Sequence, residues 1–567
     1  MKKSAIFFSC IFIISTLFAQ EALKSTEEEY YDFLSLTGVV ARPTLGYRTL
    51  SDSVWELDED EEHVWQGNNL GTTFTLWQPD SQSDNWFTRG IFQGLKARIY
   101  GPEWFNSYNT AAPYGQNDGA LWQGVGYNTS LTTGLRLEGY GFELTFKPQL
   151  SWMQNKAFKT NPDIYPSPYS YTFKSGNVYL PIDFVQRYGD KAFWNYDWGD
   201  SEIRWTWHTL TFGFGTQNPW LGPAYLNPML GSNNASGYPK LDIGLRKTEI
   251  ILPFCNWNLG CIEGRVWTGM LDASDYFFIN PETNTRMLNA LSGSYEPSFI
   301  PNLTLGVNRV FITRWATHNL KYLGRLFTLS RTNGSQVGTN EDEDQKASLF
   351  IFWTFPKVGF NFYGELGIDD FSSNPTTNPF HTAIYTIGIK QIIPLKIQQL
   401  FPNSNTINEL TSELIIEWNN FEMSQDFQLQ WHYTGYYSHG EICQGYTQKG
   451  QILGAGTGSL GNSQLVQYKI YYQKGFTSIK FHRYCPNTNC IYNQSVKTSS
   501  EDKNVYKKWY ANNETYVCYG IESAYFVTNT IMFDLIFDYV TIYRQNYTNL
   551  QYVNNFNFGF KITINLF

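Results

Sequence analysis

Tryptophans interleaved with asparagines and an aspartate form the first chemically suggestive pattern of this chain, in the stretches 104–122 and 218–234. A tryptophan ring can stack on the apolar face of a sugar, and side-chain amides and carboxylates can exchange hydrogen bonds with sugar hydroxyls. The alternative is that the asparagines of the second stretch, like its glycines, only shape a tight turn. The candidate sugar-binding residues are Trp104, Asn117, Asp118, Trp122, Asn218, Trp220, Asn233 and Asn234.

Catalytic chemistry has weaker support in the sequence. A hydrolytic site would need a histidine beside a serine or an aspartate, and the seven histidines are scattered. The neighbours Ser438 and His439 would point to opposite faces of a strand, and no serine lies in a Gly-x-Ser-x-Gly turn. The histidines are His63, His208, His318, His381, His432, His439 and His482. The sequence predicts that the protein is not an enzyme.

The first residues are typical of a secretory signal peptide. Lysines follow the initiator methionine, a mostly apolar stretch covers 5–18, and Ala19 is a small residue at a plausible cleavage site. We expect a signal peptide over 1–19; lipidation at Cys10 is the alternative, but the apolar run continues past it. No later run of about 18 apolar residues occurs, so no membrane-spanning helix is predicted.

Six cysteines follow the predicted signal peptide, and an even number in an exported chain favours disulfides. The expected bridges join Cys255 to Cys261 and Cys485 to Cys490, with Cys443 and Cys518 as a third candidate pair. A zinc site would require a different spacing.

The acidic runs 58–62 and 341–344 lack the spaced oxygens and turn glycine of a calcium loop, so we expect solvated loops there. The sequence predicts no metal and no cofactor.

The composition narrows the class of protein. The chain has 567 residues, of which 18% are aromatic and only 16% are charged, and its net charge is −9. Disordered acidic proteins and charged helical proteins do not have this composition. The negative charge also removes any electrostatic reason to expect nucleic acid as a partner.

Hydrophobic alternation indicates long amphipathic strands. Apolar residues alternate with others over 531–543, a length that exceeds most soluble strands and suits a strand that crosses a bilayer at a tilt. The last strand alternates similarly over 558–566 and the chain ends at Phe567, an end that resembles the signal read by the barrel assembly machinery.

Hairpins and connections extend this pattern to the whole chain. We expect hairpins of 135–138 with 142–150 and of 347–355 with 358–366, and a further strand over 384–392. Short turns alternate with long polar connections such as 155–200, and aromatic belts would explain the excess of rings. The sequence therefore predicts an all-β fold, a transmembrane antiparallel outer-membrane β-barrel of about 16–18 strands over 86–567.

The segment 20–85 differs from the rest. Residues 21–34 suit an amphipathic helix, with Gly38 as its stop. We expect a short helical segment that lies in the periplasm or plugs the inner mouth of the barrel.

Several motifs resemble the Wzi-type capsule assembly family. The central ones are Gly199-Asp200-Ser201, Gly213-Phe214-Gly215, Asn218-Pro219-Trp220-Leu221-Gly222-Pro223 and Gly231-Ser232-Asn233-Asn234-Ala235; the downstream ones are 445–451, Gly454-Ala455 and 458–464; the stretches 42–52 and 101–119 are similar to a more distant branch. Many members carry a second tryptophan where this chain has Leu221, and the six cysteines are a further departure.

The resemblance implies a surface lectin in the cell outer membrane that binds and retains capsular or related polysaccharide, surrounded by outer-membrane lipid. The alternative is a porin or sugar channel, which would have a clear lumen. Strand counting places 217–238 on the periplasmic side or inside the lumen, and it places 104–122 in the first long outward connection.

Overall fold

A computed structural model describes most of the chain. The described residues are 25–48, 55, 57, 62–71, 73–80, 83–91, 94–161, 167–171, 173–175, 178–180, 182–315, 323–324, 326–327, 343–369, 382–395, 410–422, 435–488, 514–547 and 551–566. The predicted signal peptide, most of the acidic run 58–62 and Cys490 lie outside them.

Antiparallel strands form a closed barrel of 18 strands, which confirms the predicted fold class. The strands are β1 Leu95–Asn109, β2 Gly126–Gly139, β3 Phe142–Phe146 with Gln149–Met153, β4 Phe193–Asp197 with Glu202–Trp207, β5 Leu210–Gly215, β6 Lys240–Leu252, β7 Trp257–Asp272, β8 Thr285–Pro297, β9 Leu303–Arg314, β10 Glu343–Phe355, β11 Phe360–Asp369, β12 Ala383–Leu395, β13 Leu410–Asn420, β14 Asn462–Tyr472, β15 Gly475–Cys485, β16 Thr515–Phe526, β17 Ile531–Tyr543 and β18 Tyr552–Ile564. Each pairs with the next, and β18 pairs with β1 to close the barrel. The predicted hairpins and the strand 531–543 are all present.

A few short elements complete the described structure. They are helices α1 Thr26–Thr37 and α2 Trp86–Arg89, the strand Thr73–Trp77 beside β1, the strand pairs Tyr47–Arg48 with Trp220–Leu221, Phe173–Ser175 with Val178–Leu180 and Thr447–Gln448 with Gln451–Ile452, and the 3-10 turns Pro281–Thr283, Pro356–Val358 and Gln545–Tyr547. Within the described ranges, no helix is long and apolar enough to cross a membrane.

The strands have an apolar outer face and a polar inner face. On β6, Leu241 and Ile243 are 59% and 48% exposed, whereas the intervening Asp242 is buried. Asp242 accepts hydrogen bonds from Arg204 at 2.8 Å and from Arg265 at 2.7 Å inside the barrel. This arrangement, with apolar side chains outside and paired charges inside, suits a wall that faces lipid. The protein is an outer-membrane barrel.

The two ends of the barrel have different connections. At the short-turn end, strands are joined by tight turns such as 140–141, where Tyr140 and Gly141 both have positive φ, 53° and 78°. Such a two-residue turn matches the twist of a hairpin. At the opposite, long-loop end, the connections are longer and include 110–125, 216–239 and 421–461.

Helix α1 lies inside the barrel near the short-turn end. Ser25 caps its first turn by accepting from the Glu28 backbone amide. Gly38 ends the helix in the left-handed conformation, which confirms the predicted stop. Its carboxylates pair with the wall: Glu27 with Arg98, Glu29 with Lys469, and Asp32 with both Lys390 and Arg42. Of the two predicted locations, the structure shows the helix within the barrel.

The connection 216–239 also enters the lumen. Tyr47 and Arg48, which follow helix α1, pair with Leu221 and Trp220. The Tyr225 hydroxyl donates to Glu29 on the helix at 2.9 Å. The segment 217–238 therefore lies inside the barrel, because it enters from the long-loop end and reaches down to the N-terminal helix.

Two of the predicted disulfides are absent from the structure. Cys255 and Cys261 are free thiols, because Cys261 lies on β7 opposite Glu249 while Cys255 occupies the turn before that strand. An extended strand rises about 3.3 Å per residue, which separates the two beyond bridging range. Cys443 and Cys518 are also free. The bridge from Cys485 to Cys490 involves an undescribed residue and stays a prediction.

The second acidic run is not wholly a solvated loop. Glu343 and Asp344 begin strand β10 and are buried. The Lys346 ammonium donates to Asp344 at 2.7 Å and to Asp369 at 2.7 Å. The alternation of the strand points Asp344 and Lys346 into the lumen, where each is paired with an opposite charge.

Candidate functional site

The connection 110–125 folds into the lumen from the long-loop end. The Asn109 side-chain amide holds it in place by donating to the carbonyls of Tyr114 at 3.1 Å and Gln123 at 3.0 Å. We call 112–123 the partition segment, because residues within it line two cavities, one toward the long loops and one toward helix α1.

The loop-side cavity has a volume of about 180 Å³ and combines aromatic rings with side-chain amides. Its rings include Trp122, Phe158, Tyr171, Phe184, Tyr484 and Tyr516, and its amides include Asn117, Gln186, Asn234, Gln451, Gln545 and Asn546. Stacking surfaces and hydroxyl partners therefore occur side by side. This combination can bind a polyhydroxylated ring.

One carboxylate of the loop-side cavity titrates near neutrality. Glu514 precedes β16 and is 3% exposed. Burial raises its pKa to about 7, although hydrogen bonds from the Asn546 amide and the Tyr516 hydroxyl oppose the shift. The cavity therefore contains a group whose charge changes in the physiological range.

The helix-side cavity is larger, about 250 Å³, and most of the residues that line it are polar or charged. It lies between the partition segment, the start of helix α1 and the inner faces of β1 and β15 to β18. Among the described residues, no group of three or more His, Cys, Asp or Glu side chains is arranged to hold a metal ion.

The candidate residue Trp104 does not lie in a connection. It belongs to strand β1, is 43% exposed, and its ring meets Phe560 edge-on with centroids 5.8 Å apart. Its indole nitrogen donates to Thr129 at 3.0 Å. Strand β1 is longer than expected and reaches residue 109, so Trp104 lies on the outer wall, away from both cavities.

Trp122 is the tryptophan that lines the loop-side cavity. Its ring packs edge-on against Tyr188 with centroids 5.2 Å apart. Asp118, earlier in the same segment, lines both cavities. Asn234 lines the loop-side cavity, and its amide donates to the Ile452 carbonyl at 3.0 Å.

Three candidate asparagines form a buried cluster that joins the partition segment to the connection 216–239. Asn233 donates to the Asn117 carbonyl at 3.3 Å, and Asn218 donates to Asn233 at 3.4 Å and to the Ala235 carbonyl at 2.7 Å. Asn117 donates to the Leu226 carbonyl at 3.1 Å. Much of their hydrogen bonding therefore holds the two connections together.

Trp220 is buried elsewhere. It is 1% exposed, donates to the Ala224 carbonyl at 3.0 Å, and lies beside the Arg48 guanidinium. It lines only a small space near helix α1. The structure thus brings together Asn117, Asp118, Trp122, Asn233 and Asn234, with Asn218 behind them, and leaves Trp104 and Trp220 apart.

Sequence reasoning missed the rings that complete the loop-side cavity. Tyr171 and Phe184 pack edge-on with centroids 5.8 Å apart, and Tyr484 and Tyr516 stack at 4.6 Å. Tyr171 and Phe184 lie in the connection between β3 and β4, whereas Tyr484 and Tyr516 lie at the ends of β15 and β16, so no local spacing links the two pairs. A further unpredicted contact joins His482 to the Ser463 hydroxyl at 2.9 Å in the lumen.

Comparison with known proteins establishes the fold. No protein-family model matches the chain, and no curated protein matches it in sequence. Among solved structures, Wzi of Escherichia coli, an outer-membrane protein involved in group 1 capsule assembly and a carbohydrate-binding β-barrel, aligns at a TM-score of 0.52 with 11% identity. The alignment covers 82% of this chain and 85% of that one. Similarity at this identity shows the fold alone.

Two porins are also similar. Pseudomonas aeruginosa OccD3 aligns at a TM-score of 0.38 with 10% identity over 83% of this chain and 92% of its own. Pseudomonas putida OprB aligns at a TM-score of 0.34 with 12% identity over 82% of this chain and 94% of its own.

Proposed function

We propose that this protein is an outer-membrane lectin that binds capsular or related surface polysaccharide in the loop-side cavity and retains it on the cell. Barrels of this kind carry their long loops outside the cell, so the cavity would open toward exported polymer. The outer apolar face would contact membrane lipid, and the last strand would present the chain to the barrel assembly machinery. Catalysis is not part of the proposal.

A single observation carries the proposal: stacking rings and side-chain amides line the same cavity beneath the long loops. Trp122 and Tyr171 offer ring faces or edges, and Asn234 offers an amide. Each stacking contact is worth on the order of 1 kcal/mol. Several weak contacts repeated along a polymer reinforce one another through effective concentration.

Deletion of the gene tests the proposal. Polymer synthesis and export should continue while polysaccharide moves from the cells to the medium, because only retention is lost. Cell-bound and released polysaccharide would be measured in the parent, the deletion strain and complemented strains. Unchanged cell-bound polymer in the deletion strain would contradict the lectin function.

Two tryptophan variants give a matched comparison of residues. Trp122→Ala removes a ring from the loop-side cavity and should cause partial shedding. Trp104→Ala removes a ring from the outer wall of the barrel and should leave retention unchanged. Heat-modifiable migration on gels would confirm that both barrels are folded. Equal shedding by the two folded variants would refute the assignment of polysaccharide binding to the loop-side cavity.

The alternative function is a porin or sugar channel. It is favoured by the position of the two cavities, which share the partition segment as a wall and together extend along the lumen. Helix α1 and the segment 217–238 occupy lumen space and favour the lectin. Single-channel conductance in planar bilayers distinguishes them, since a channel would give stable open currents.

A further inference from the structure

The helix-side cavity differs from the loop-side cavity in the sign and density of its charges. Six carboxylates line it, and two lysines are the only ammonium groups among its lining residues. The carboxylates are Glu29, Glu103, Asp118, Glu522, Asp534 and Asp538. A cavity inside the barrel with this excess of carboxylates favours a positively charged occupant.

The lysines of this cavity are already engaged with carboxylates. Lys480 lies 3.0 Å from Asp538, and Lys561 lies 3.0 Å from Asp534. Glu29 is paired with Lys469 from the wall. These ion pairs therefore neutralise part of the negative charge, but more carboxylates than ammonium groups line the cavity.

Buried acceptor oxygens provide the second observation. Asn117 and Asp534 both line the cavity and are 4% and 3% exposed, and one side-chain oxygen of each has no hydrogen-bond partner. The Asn117 amide is oriented by its donation to the Leu226 carbonyl, which leaves its oxygen as the acceptor. The second oxygen of Asp534 accepts from Thr26 at 3.2 Å. Buried acceptors without partners are costly, so a ligand rich in donors would satisfy them.

The size and spread of these groups favour an organic cation over a metal ion. No group of three or more His, Cys, Asp or Glu side chains in the part of the chain that the structure describes is arranged to hold a metal ion. The volume of about 250 Å³ exceeds the share of a single water molecule roughly eightfold. Phe105 and Tyr225 also line the cavity and give it apolar surface.

We propose that the helix-side cavity is a second binding site, which takes a small hydroxylated ammonium compound of the amino-sugar class. The ammonium group would lie among Glu522, Asp534 and Asp538, and hydroxyl donors would satisfy the open oxygens of Asn117 and Asp534. The site is separate from the proposed polysaccharide site, because the carboxylates that would hold the ammonium group lie on β16 and β17, although the two cavities share the partition segment that carries Asn117.

Equilibrium binding to the detergent-solubilised full barrel tests this site. The ligand used is glucosamine at about pH 6. This pH is below the pKa of roughly 7.7–8.0 that is typical of amines beside electron-withdrawing groups, so the amine is protonated. Glucose and N-acetylglucosamine serve as neutral counterparts of similar size. Glucosamine should bind at least roughly tenfold more tightly than either, equivalent to about 1.4 kcal/mol. Equal binding of all three sugars, or no binding of glucosamine, would overturn the proposal.

Variants locate the site. Glu522→Gln and Asp534→Asn should each weaken glucosamine binding roughly tenfold, whereas Glu282→Gln, which alters a 71%-exposed carboxylate outside both cavities, should not. Heat-modifiable migration on gels checks that each variant folds. If Asp534→Asn fails to fold, the result for Glu522→Gln decides the test. Glucosamine binding that is unchanged in folded Glu522→Gln would overturn the assignment. Shedding by Trp122→Ala with no glucosamine binding would refute this site and leave the lectin function intact.

Discussion

The two cavities that share the partition segment differ in the origin of their lining. The loop-side cavity is lined mainly by rings and amides on connections and strand ends, whereas charged side chains on β15 to β18 and helix α1 line much of the helix-side cavity. The alternation of a strand determines the face of each of its side chains. A side chain on a long connection is placed by tertiary contacts. The charge of the lumen therefore follows from strand register, and its aromatic chemistry follows from loop packing.

The largest expected effect comes from removing a carboxylate from the charged part of the lumen. Asp32 pairs with Lys390 and Arg42, and its side chain is 10% exposed. Asp32→Ala leaves two cations in the lumen without this partner and should lower the free energy of unfolding by about 3 kcal/mol. Denaturant unfolding in detergent measures it. The control Glu282→Ala disrupts an exposed pair with Arg314 and should cost less than about 1 kcal/mol; equal losses would contradict the contrast.

A second prediction concerns the titrating group of the loop-side cavity. The pKa of Glu514 is raised to about 7 by burial, so its stabilising contribution is complete below the ordinary pKa of about 4.3 and is lost as the pH rises through about 7. Over that window the unfolding free energy should fall by up to roughly 3 kcal/mol. Glu514→Gln should abolish that part of the pH dependence, and Glu282→Gln should retain it. Identical pH profiles for wild type and Glu514→Gln would contradict the assignment.

A third prediction sharpens the role of the loop-side rings. Tyr484→Ala removes one member of the stacked pair with Tyr516 and should weaken binding of extracted surface polysaccharide about fivefold, through loss of about 1 kcal/mol of stacking. Tyr519 is 58% exposed on the outer face of β16, so Tyr519→Ala is the matched control. Weakening by the control variant to the same degree would argue against a ring-lined site.

The smallest expected effect comes from the residue that lines both cavities. Asp118→Asn should weaken polysaccharide binding less than about threefold, because water can replace one hydroxyl partner. The same change should weaken glucosamine binding more strongly, since it removes a charge. Loss of polysaccharide affinity larger than that caused by Tyr484→Ala would reverse the proposed order of contributions.

Most of the barrel was predictable from local pattern. The hairpin turn at Tyr140 and Gly141, the strand Ile531–Tyr543 and the end of helix α1 at Gly38 each depend on residues close in sequence. The number of strands fell within the predicted range, and the chain lies in the outer membrane as expected. Alternation and turn chemistry act over a few residues, so they can be read without knowledge of the fold.

The candidate site was only partly predictable. Trp104 and Trp122 are both tryptophans in one aromatic stretch, so the sequence predicts the same role for both, yet a longer β1 places the first on the outer wall and leaves the second within the barrel. The sequence also predicts that Trp220 binds sugar, whereas in the structure its ring is buried beside Arg48. Composition identifies the residue types, and it does not identify the face of the wall on which each lies.

The sequence by itself determined the all-β transmembrane architecture, the N-terminal helix and the presence of sugar-compatible side chains, because periodicity, capping and residue chemistry are local properties. Only the tertiary structure decided which of those side chains share a cavity. The rings of Tyr171, Tyr484 and Trp122 are brought together by closure of the barrel and by the entry of the connection 110–125 into its lumen. Contacts between residues that are hundreds of positions apart depend on the whole packed chain, so they leave no local trace in the sequence.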